Sequence, residues 1–491
     1  MAKSLYIAEK PSVAQEFANA LNINARRSDG YIESEDAVVT WCVGHLVTMS
    51  YPEAYDAKFK RWSLETLPFL PKEFKYQVIE GVAKQFKIVS GLLNRPDVDT
   101  IYICTDSGRE GEYIYRLVDQ MAGVKGKTRK RVWIDSQTEE EILRGIREAK
   151  DWSEYDNLSS SAYLRAKEDY LMGINFSRLL TLKYGQTISN YLRTDRTVLS
   201  VGRVMTCVLG MVVRREREIR NFVKTPFYRV IGTFESQGAE CPALPGMSFD
   251  GEWKSVAGSK YFETPYLYKE NGFKARETAQ ELIDMLSEVQ PGEAPLTIAQ
   301  RNLKAQVAGI ERKKETKNPP LLYNLAELQN DCSKMFKISP DETLRVVQEL
   351  YEKKLVTYPR TDARVLSTAV AKEIHKNIGG LRNFAPVKDF AGEVLESGSY
   401  KGIAKTRYVN DKQITDHYAI VPTGQGFGAL RSLNGLSEKV YEVICRRFLS
   451  IFYPAAIYQK YGLDLAMGKE HFFANFRVML EPGYLKVARC V

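Results

Sequence analysis

Four groups of residues in this chain have types and spacings suited to chemistry at a phosphate. The first is acidic. Glu9-Lys10 follows a short apolar run at residues 4–8, and Asp106-Ser107-Gly108-Arg109-Glu110-Gly111-Glu112 follows another at residues 100–105. Carboxylates at the ends of adjacent strands hold a hard divalent cation through oxygen, usually Mg²⁺ with retained waters. Such an ion organises phosphate chemistry. Lys10 and Arg109 suit phosphate oxygens, one as a point charge and the other as a planar fork. Asp106 or Glu110 taken alone reads as a solvated acidic turn at a helix start; together with Glu9 the reading is a metal site.

The second group is Leu355-Val-Thr-Tyr358-Pro-Arg360-Thr-Asp362. A tyrosine two residues before an arginine fits a nucleophile beside a phosphate clamp. The chain has 28 tyrosines, so spacing by itself does not single out Tyr358. The third group, residues 415–423, carries His417, one of only four histidines. An imidazole can donate to a phosphate, although a lone histidine in a polar turn reads more simply as a capped surface residue. The fourth group opens a helix at residues 200–206 with Arg203, followed by Arg214, Arg215, Arg217 and Arg220. It reads equally as a DNA-backbone contact and as a solvated basic face. One motif fails. Gly126-Lys127-Thr128 resembles the end of a P-loop, but the earlier glycine position holds Met121. No nucleotide triphosphate site is therefore expected, and residues 125–131 read as a basic surface loop.

The elements that must position these residues follow from the apolar pattern. Residues 4–8 predict a buried strand, and Pro11 and Ser12 open a helix with Val13, Phe17, Ala20 and Leu21 on its apolar face. Residues 100–105 predict a second strand. After a turn, a helix starts near Glu110 with Ile114, Leu117, Val118 and Met121 inward and Gly123 as its stop. Both carboxylate groups thus lie at the carboxyl edge of an α/β sheet, where ligands bind. Residues 151–220 read as helical, 227–268 as strands, and 275–290 and 320–380 as helices. Residues 312–320 read as a basic connector and 458–491 as strands again. The two strand-rich pieces flank a helical insert.

The chain has 491 residues, 44% of them apolar and 27% charged, an ordinary globular balance that excludes a disordered or collagen-like protein. A net charge of +9 points weakly to a polyanionic partner. No apolar run approaches the roughly 18 residues a membrane span needs, and no signal-peptide core is evident. A cytoplasmic location is expected. Seven scattered cysteines form no C-x-x-C pair, so no zinc site is expected.

In this order, the motifs resemble those of the type IA DNA topoisomerases, most closely the bacterial topoisomerase III branch. The carriers are IAEKPSVA (7–14), CVGHLV (42–47), CTDSGREGE (104–112), SVGRVMT (200–206), PPLLYNLAELQ (319–329), LYEKKLVTYPRTD (350–362) and DHYAIVPT (416–423). The resemblance implies a multidomain α/β plus α and β fold, a toroid with an N-terminal Toprim domain over 1–150. A helical DNA-binding domain follows over 151–222, with the family's C-terminal return missing. A strand-rich hinge spans 223–275 and 430–491, and a helical domain over 276–429 carries the nucleophile.

It further implies that Tyr358 attacks a DNA phosphorus and becomes linked to the 5′ phosphate. Glu9 is the acid-base for the 3′ oxygen, and Glu9, Asp106 and Glu110 hold Mg²⁺. Arg360, Lys10 and His417 hold the scissile or neighbouring phosphates, and Arg203, Arg109, Asp362 and Thr423 contact DNA. The implied activity is ATP-independent relaxation or decatenation of underwound or single-stranded DNA by a nucleoid-associated protein. The implied cofactor is Mg²⁺, without ATP or zinc, and a helicase partner is compatible with it. The family's usual second aspartate is Gly108 here. The alternatives are a Toprim nuclease or primase, which would not need Tyr358, and a non-catalytic single-strand-binding remnant.

Overall fold

The computed structural model describes residues 2–23, 27–236, 246, 248–287, 304–414 and 417–488. It divides into two compact units. The first joins residues up to 217 with 321–449, and the second joins 218–320 with the stretch from 450 onward.

In the first unit, the strands run in the order Arg27–Ser28, Tyr31–Glu33, Ala37–Trp41, Lys3–Ala8, Val98–Cys104, Thr128–Arg131 and Lys150–Asp151 among the described residues. The four central strands are parallel. A parallel sheet needs cover on both faces, and both faces have it. Leu5, Ile7, Ile101 and Ile103 pack with Ile114 and Val118 on one side. Tyr6, Ala8 and Val39 pack with Val13, Phe17 and Ile142 on the other. Burying a side chain such as Phe17 or Leu5 contributes about 1.5–3 kcal/mol. The expected helices form as Pro11–Ala20, with proline in its first turn, and Arg109–Ala122. The second ends at Gly123, whose φ of 65° is left-handed and suits glycine.

Val47–Met49 and Tyr76–Val78 form a separate two-stranded antiparallel sheet, and most of the rest of this unit is helical. Asp156–Leu192 is a single 37-residue helix, and Arg203–Arg220 buries none of its residues. Around Tyr358 stand Leu325–Phe336, Pro340–Glu352, Thr368–Gly380 and Gly435–Ser450. Ser339 caps Pro340–Glu352 by accepting from the Glu342 amide at 3.1 Å, half of a capping box. The segments carrying Tyr358 and His417 are tied side by side. The Thr357 amide donates to the Val421 carbonyl at 3.0 Å, and the Thr423 amide to the Leu355 carbonyl at 3.0 Å.

The second unit is an antiparallel sheet in the order Ile231–Glu235, Ser248–Lys254, Glu470–Glu481, Ala456–Met467 and Gln306–Lys317 among the described residues. Its core gathers Trp253, Phe273, Leu282, Leu463 and Phe472. Two sequence readings change here. Residues 312–317 are not a connector; they continue the edge strand Gln306–Lys317, which pairs with Ala456–Met467 down to Lys317. Lysines and arginines on an edge strand guard it against further pairing, so a charge run read as a linker is a strand. The unit therefore takes in the helix Arg276–Leu286 and this strand, whereas Gly435–Leu449 packs with the tyrosine segment. No helix among the described residues is long and apolar enough to cross a membrane.

Candidate functional site

Parallel register brings the carboxylates together. Ala8 lies opposite Cys104, so Glu9 and Asp106 leave the sheet at adjacent strand ends. The Asp106 amide donates to Glu9 Oε2 at 3.3 Å. Glu9 is only 8% exposed. Burial, then the neighbouring Asp106, push its carboxyl up to about 7, while Lys10 and Arg360 oppose the rise. Burial likewise raises Asp106.

The Asp106 turn is fixed from two sides. A Cβ at Gly111 would sit 2.0 Å from the Asp106 carbonyl oxygen, so only glycine lets the helix start so close. Arg131 holds the other side. It is fully buried, donates Nε to Glu112 Oε2 at 2.9 Å, and spreads its other donors over the carbonyls of Ile103, Thr105, Asp106 and Val132. The surface-loop reading of 125–131 is thus corrected: residues 128–131 form a strand of the sheet, and Arg131 is a buried clamp. Glu112, fully buried between Arg131 and Arg116, is committed to that clamp.

Glu110 does not join the pair. Its side chain is 70% exposed and accepts from His45 Nε2 at 2.6 Å, a bond that lowers its carboxyl below the usual range. Among the described residues, no group of three or more His, Cys, Asp or Glu side chains is placed to share an ion. The donor set brought together is Glu9 and Asp106. Two carboxylates fit Mg²⁺, which is usually bound through one or two of them with waters and phosphate completing the shell.

Tyr358 comes to this edge from the helical side. Its amide donates to the Asp135 carbonyl at 2.9 Å, and its ring is 8% exposed. The ring lies 4.4 Å from His417 and edge-on to Tyr351 at 5.4 Å, centroid to centroid. Burial, then Asp106, hold the phenol well above its ordinary value; Arg360 opposes this by charge and by a hydrogen bond to the phenol. Arg360 is exposed and also acts on Glu9 and Asp106, so it links the two halves of the site. Lys10 Nζ lies 3.5 Å from Glu352 Oε1.

His417 is buried, not a capped surface residue. Nδ1 lies 2.6 Å from Asp135 Oδ1, and Nε2 donates to the Ser107 carbonyl. Thr423 donates its hydroxyl to the Lys354 carbonyl, a turn contact. Arg203 pairs with Asp169 at 2.7 Å on the helical part, while Arg109 and Asp362 are exposed. Thr415 and Asp416 lie outside the described residues, as do Cys241 and Cys490. Sequence reasoning missed Asp135, which lacks any local pattern, and gave Tyr351 no role although it stood in the quoted LYEKKLVTYPRTD motif. His45 stood in the quoted CVGHLV motif without a role.

Comparison with known proteins gives the family of the chain. Residues 4–136 match the Toprim domain, and residues 153–490 match the DNA topoisomerase family. The chain is 34% identical over 490 residues to DNA topoisomerase 3 of Bacillus subtilis (strain 168), covering 99% of this chain and 60% of the relative. Identity is also 34%, over 488 residues, to DNA topoisomerase 3 of Bacillus licheniformis, with the same coverage. The chain thus spans about 60% of the length of these curated relatives. Its fold is similar to that of full-length topoisomerase I from Thermotoga maritima, with a TM-score of 0.63 at 20% identity, covering 99% of this chain and 68% of that one. With a Toprim sheet ending in Glu9 and Asp106 and a buried tyrosine set against it, the chain belongs to the type IA DNA topoisomerase family.

Proposed function

We propose that this chain cleaves one strand of underwound or single-stranded DNA through Tyr358, holds the 5′ phosphate covalently, and reseals it after strand passage. The observation that carries this reading is the convergence of Tyr358, Arg360, Glu9 and Asp106 on one buried edge.

In the reaction, the Tyr358 oxygen attacks phosphorus and releases its proton to solvent water, while the bond from phosphorus to the 3′ oxygen breaks. Glu9, titrating near neutrality, gives a proton to that oxygen and recovers it on resealing. The high-lying phenol of Tyr358 is neutral at rest, so attack depends on the positive charge of Arg360 beside it. Arg360 and Lys10 would hold the phosphate oxygens. Mg²⁺ held by Asp106, and by Glu9 once it has given up its proton, would supply further neutralisation of phosphate charge. The link to tyrosine conserves the phosphodiester bond energy, so resealing needs no ATP. The exposed, arginine-bearing helix Arg203–Arg220 supports a role in holding the strand backbone. A cytoplasmic setting on the nucleoid, with relaxation or decatenation as the task and a helicase as an occasional partner, goes with this activity.

The test is a plasmid assay with Mg²⁺ and without ATP, stopped with detergent and run with and without protease. Protein-linked DNA ends that vanish in Tyr358→Phe are expected. Cutting that persists in Tyr358→Phe would overturn the reading in favour of a Toprim nuclease. DNA binding with no adduct would overturn it in favour of a non-catalytic remnant.

A further inference from the structure

One residue outside the chemistry above joins the tyrosine segment to the Toprim sheet twice. The main-chain carbonyl of Asp135 accepts the Tyr358 amide at 2.9 Å, and its carboxylate lies 2.6 Å from His417 Nδ1. The second ring nitrogen of His417 is taken by the Ser107 carbonyl. Each ring nitrogen of His417 thus lies against an oxygen of the Toprim part, one from a carboxylate and one from a carbonyl. The ring is 5% exposed and lies nearly parallel to Trp133, at 6.1 Å and 12°. Trp133 is backed in turn by Tyr155 at 5.3 Å.

Around this contact run three ion pairs between the same two parts: Lys354–Glu16 at 2.5 Å, Lys376–Glu140 at 3.1 Å and Lys10–Glu352 at 3.5 Å. All are partly exposed, and each shifts an equilibrium by less than about fivefold. A hydrogen bond with a buried partner is costlier to break, because the group left behind stays desolvated. The Asp135–His417 bond differs from these pairs in that one partner, His417, is almost wholly buried. A cleft of about 890 Å³, lined by Asp135, Thr357 and Tyr418, opens onto it.

We propose that Asp135 is a positioning residue that docks Tyr358 and His417 together onto the carboxylate edge. With Ser107 it also keeps both nitrogens of His417 occupied. A phosphate then gains His417 only by displacing the Ser107 carbonyl, which couples arrival of DNA to loosening of the dock. The inference rests on the cleavage chemistry proposed above.

The experiment compares the full chain with Asp135→Asn and Asp135→Glu, leaving the main-chain bond to Tyr358 in place. Three quantities are read: first-turnover adduct formation on a saturating single-stranded oligonucleotide with Mg²⁺, oligonucleotide affinity, and Trp133 emission without DNA. The emission is taken as the difference between each protein and its Trp133→Phe counterpart. An imidazole ring stacked on an indole quenches it, so undocking raises the signal. Asp135→Asn is expected to slow adduct formation about tenfold or more, with affinity changed less than about twofold and Trp133 emission raised. Asp135→Glu is expected to recover part of both.

An Asp135→Asn protein with unchanged adduct rate and unchanged emission overturns the proposal. So does a parallel loss of affinity and thermal stability without the emission change, which would make Asp135 merely structural. If the unaltered chain forms no adduct, the proposed function fails. The DNA-free emission still decides the docking separately.

Discussion

Replacing Glu9 with glutamine should stabilise the metal-free chain at pH 8 and leave its stability nearly unchanged at pH 4. The cause is the buried pair at the strand ends. Glu9 titrates near 4.5 when unperturbed and near 7 in the fold, because burial and Asp106 disfavour its charged form. Below pH 4.5 the side chain is protonated in both folded and unfolded chains and costs nothing. As pH rises from 4.5 to about 7, the unfolded chain releases its proton while the folded chain keeps it, so stability falls. Above about 7 the loss is complete. At about 1.4 kcal/mol for each pH unit between the two values, it amounts to about 3 kcal/mol. A glutamine side chain in its place carries no charge and escapes this loss.

The assay is urea unfolding in EDTA at pH 4, 6 and 8, followed by tryptophan fluorescence, to which Trp41, Trp62 and Trp133 of the Toprim part contribute. The gap between the two proteins should open between pH 4 and 8. Adding Mg²⁺ at pH 8 should narrow it, because a cation on Glu9 and Asp106 offsets their mutual repulsion. Parallel pH profiles for Glu9→Gln and the unaltered chain would show that Glu9 is not held protonated and would refute the reasoning.

Two further outcomes follow from the site's geometry. Gly108 is extended, with φ 172° and ψ 176°, and a Cβ there meets nothing within 4 Å. Gly108→Asp should therefore fold normally and tighten Mg²⁺ binding, because ligand charge count sets affinity at such sites; calorimetric titration showing no gain would count against a metal at this edge. Arg131→Met strips the buried Glu112 of one partner and takes a donor from four carbonyls, and should cost about 3–5 kcal/mol of stability. A thermal unfolding shift equivalent to under about 1 kcal/mol would mean the clamp is not structural.

The sequence by itself determined the parts of this protein that depend on local pattern. The apolar runs before Glu9 and Asp106, the proline at the first helix start and the glycine after Ala122 are short-range signals, and the strands and helices follow them. The pairing of Glu9 with Asp106 was legible too, because parallel strands place their carboxyl ends on one edge. Tyr358 was legible only through its motif, since one tyrosine among 28 carries no periodicity that marks it.

Tertiary structure decided the rest, because burial and long-range bonding reverse what charge suggests locally. Arg131 looks like surface charge in a basic run, yet it is fully buried on the carbonyls that end a neighbouring strand. The charged stretch 312–317 looks like a linker until a partner strand more than a hundred residues away supplies its hydrogen bonds. Glu110 sits in the acidic motif but turns to His45, 65 residues distant. Asp135 has no motif of its own. Its place between Tyr358 and His417, 223 and 282 residues further on, exists only once the sheet and the helical part have met.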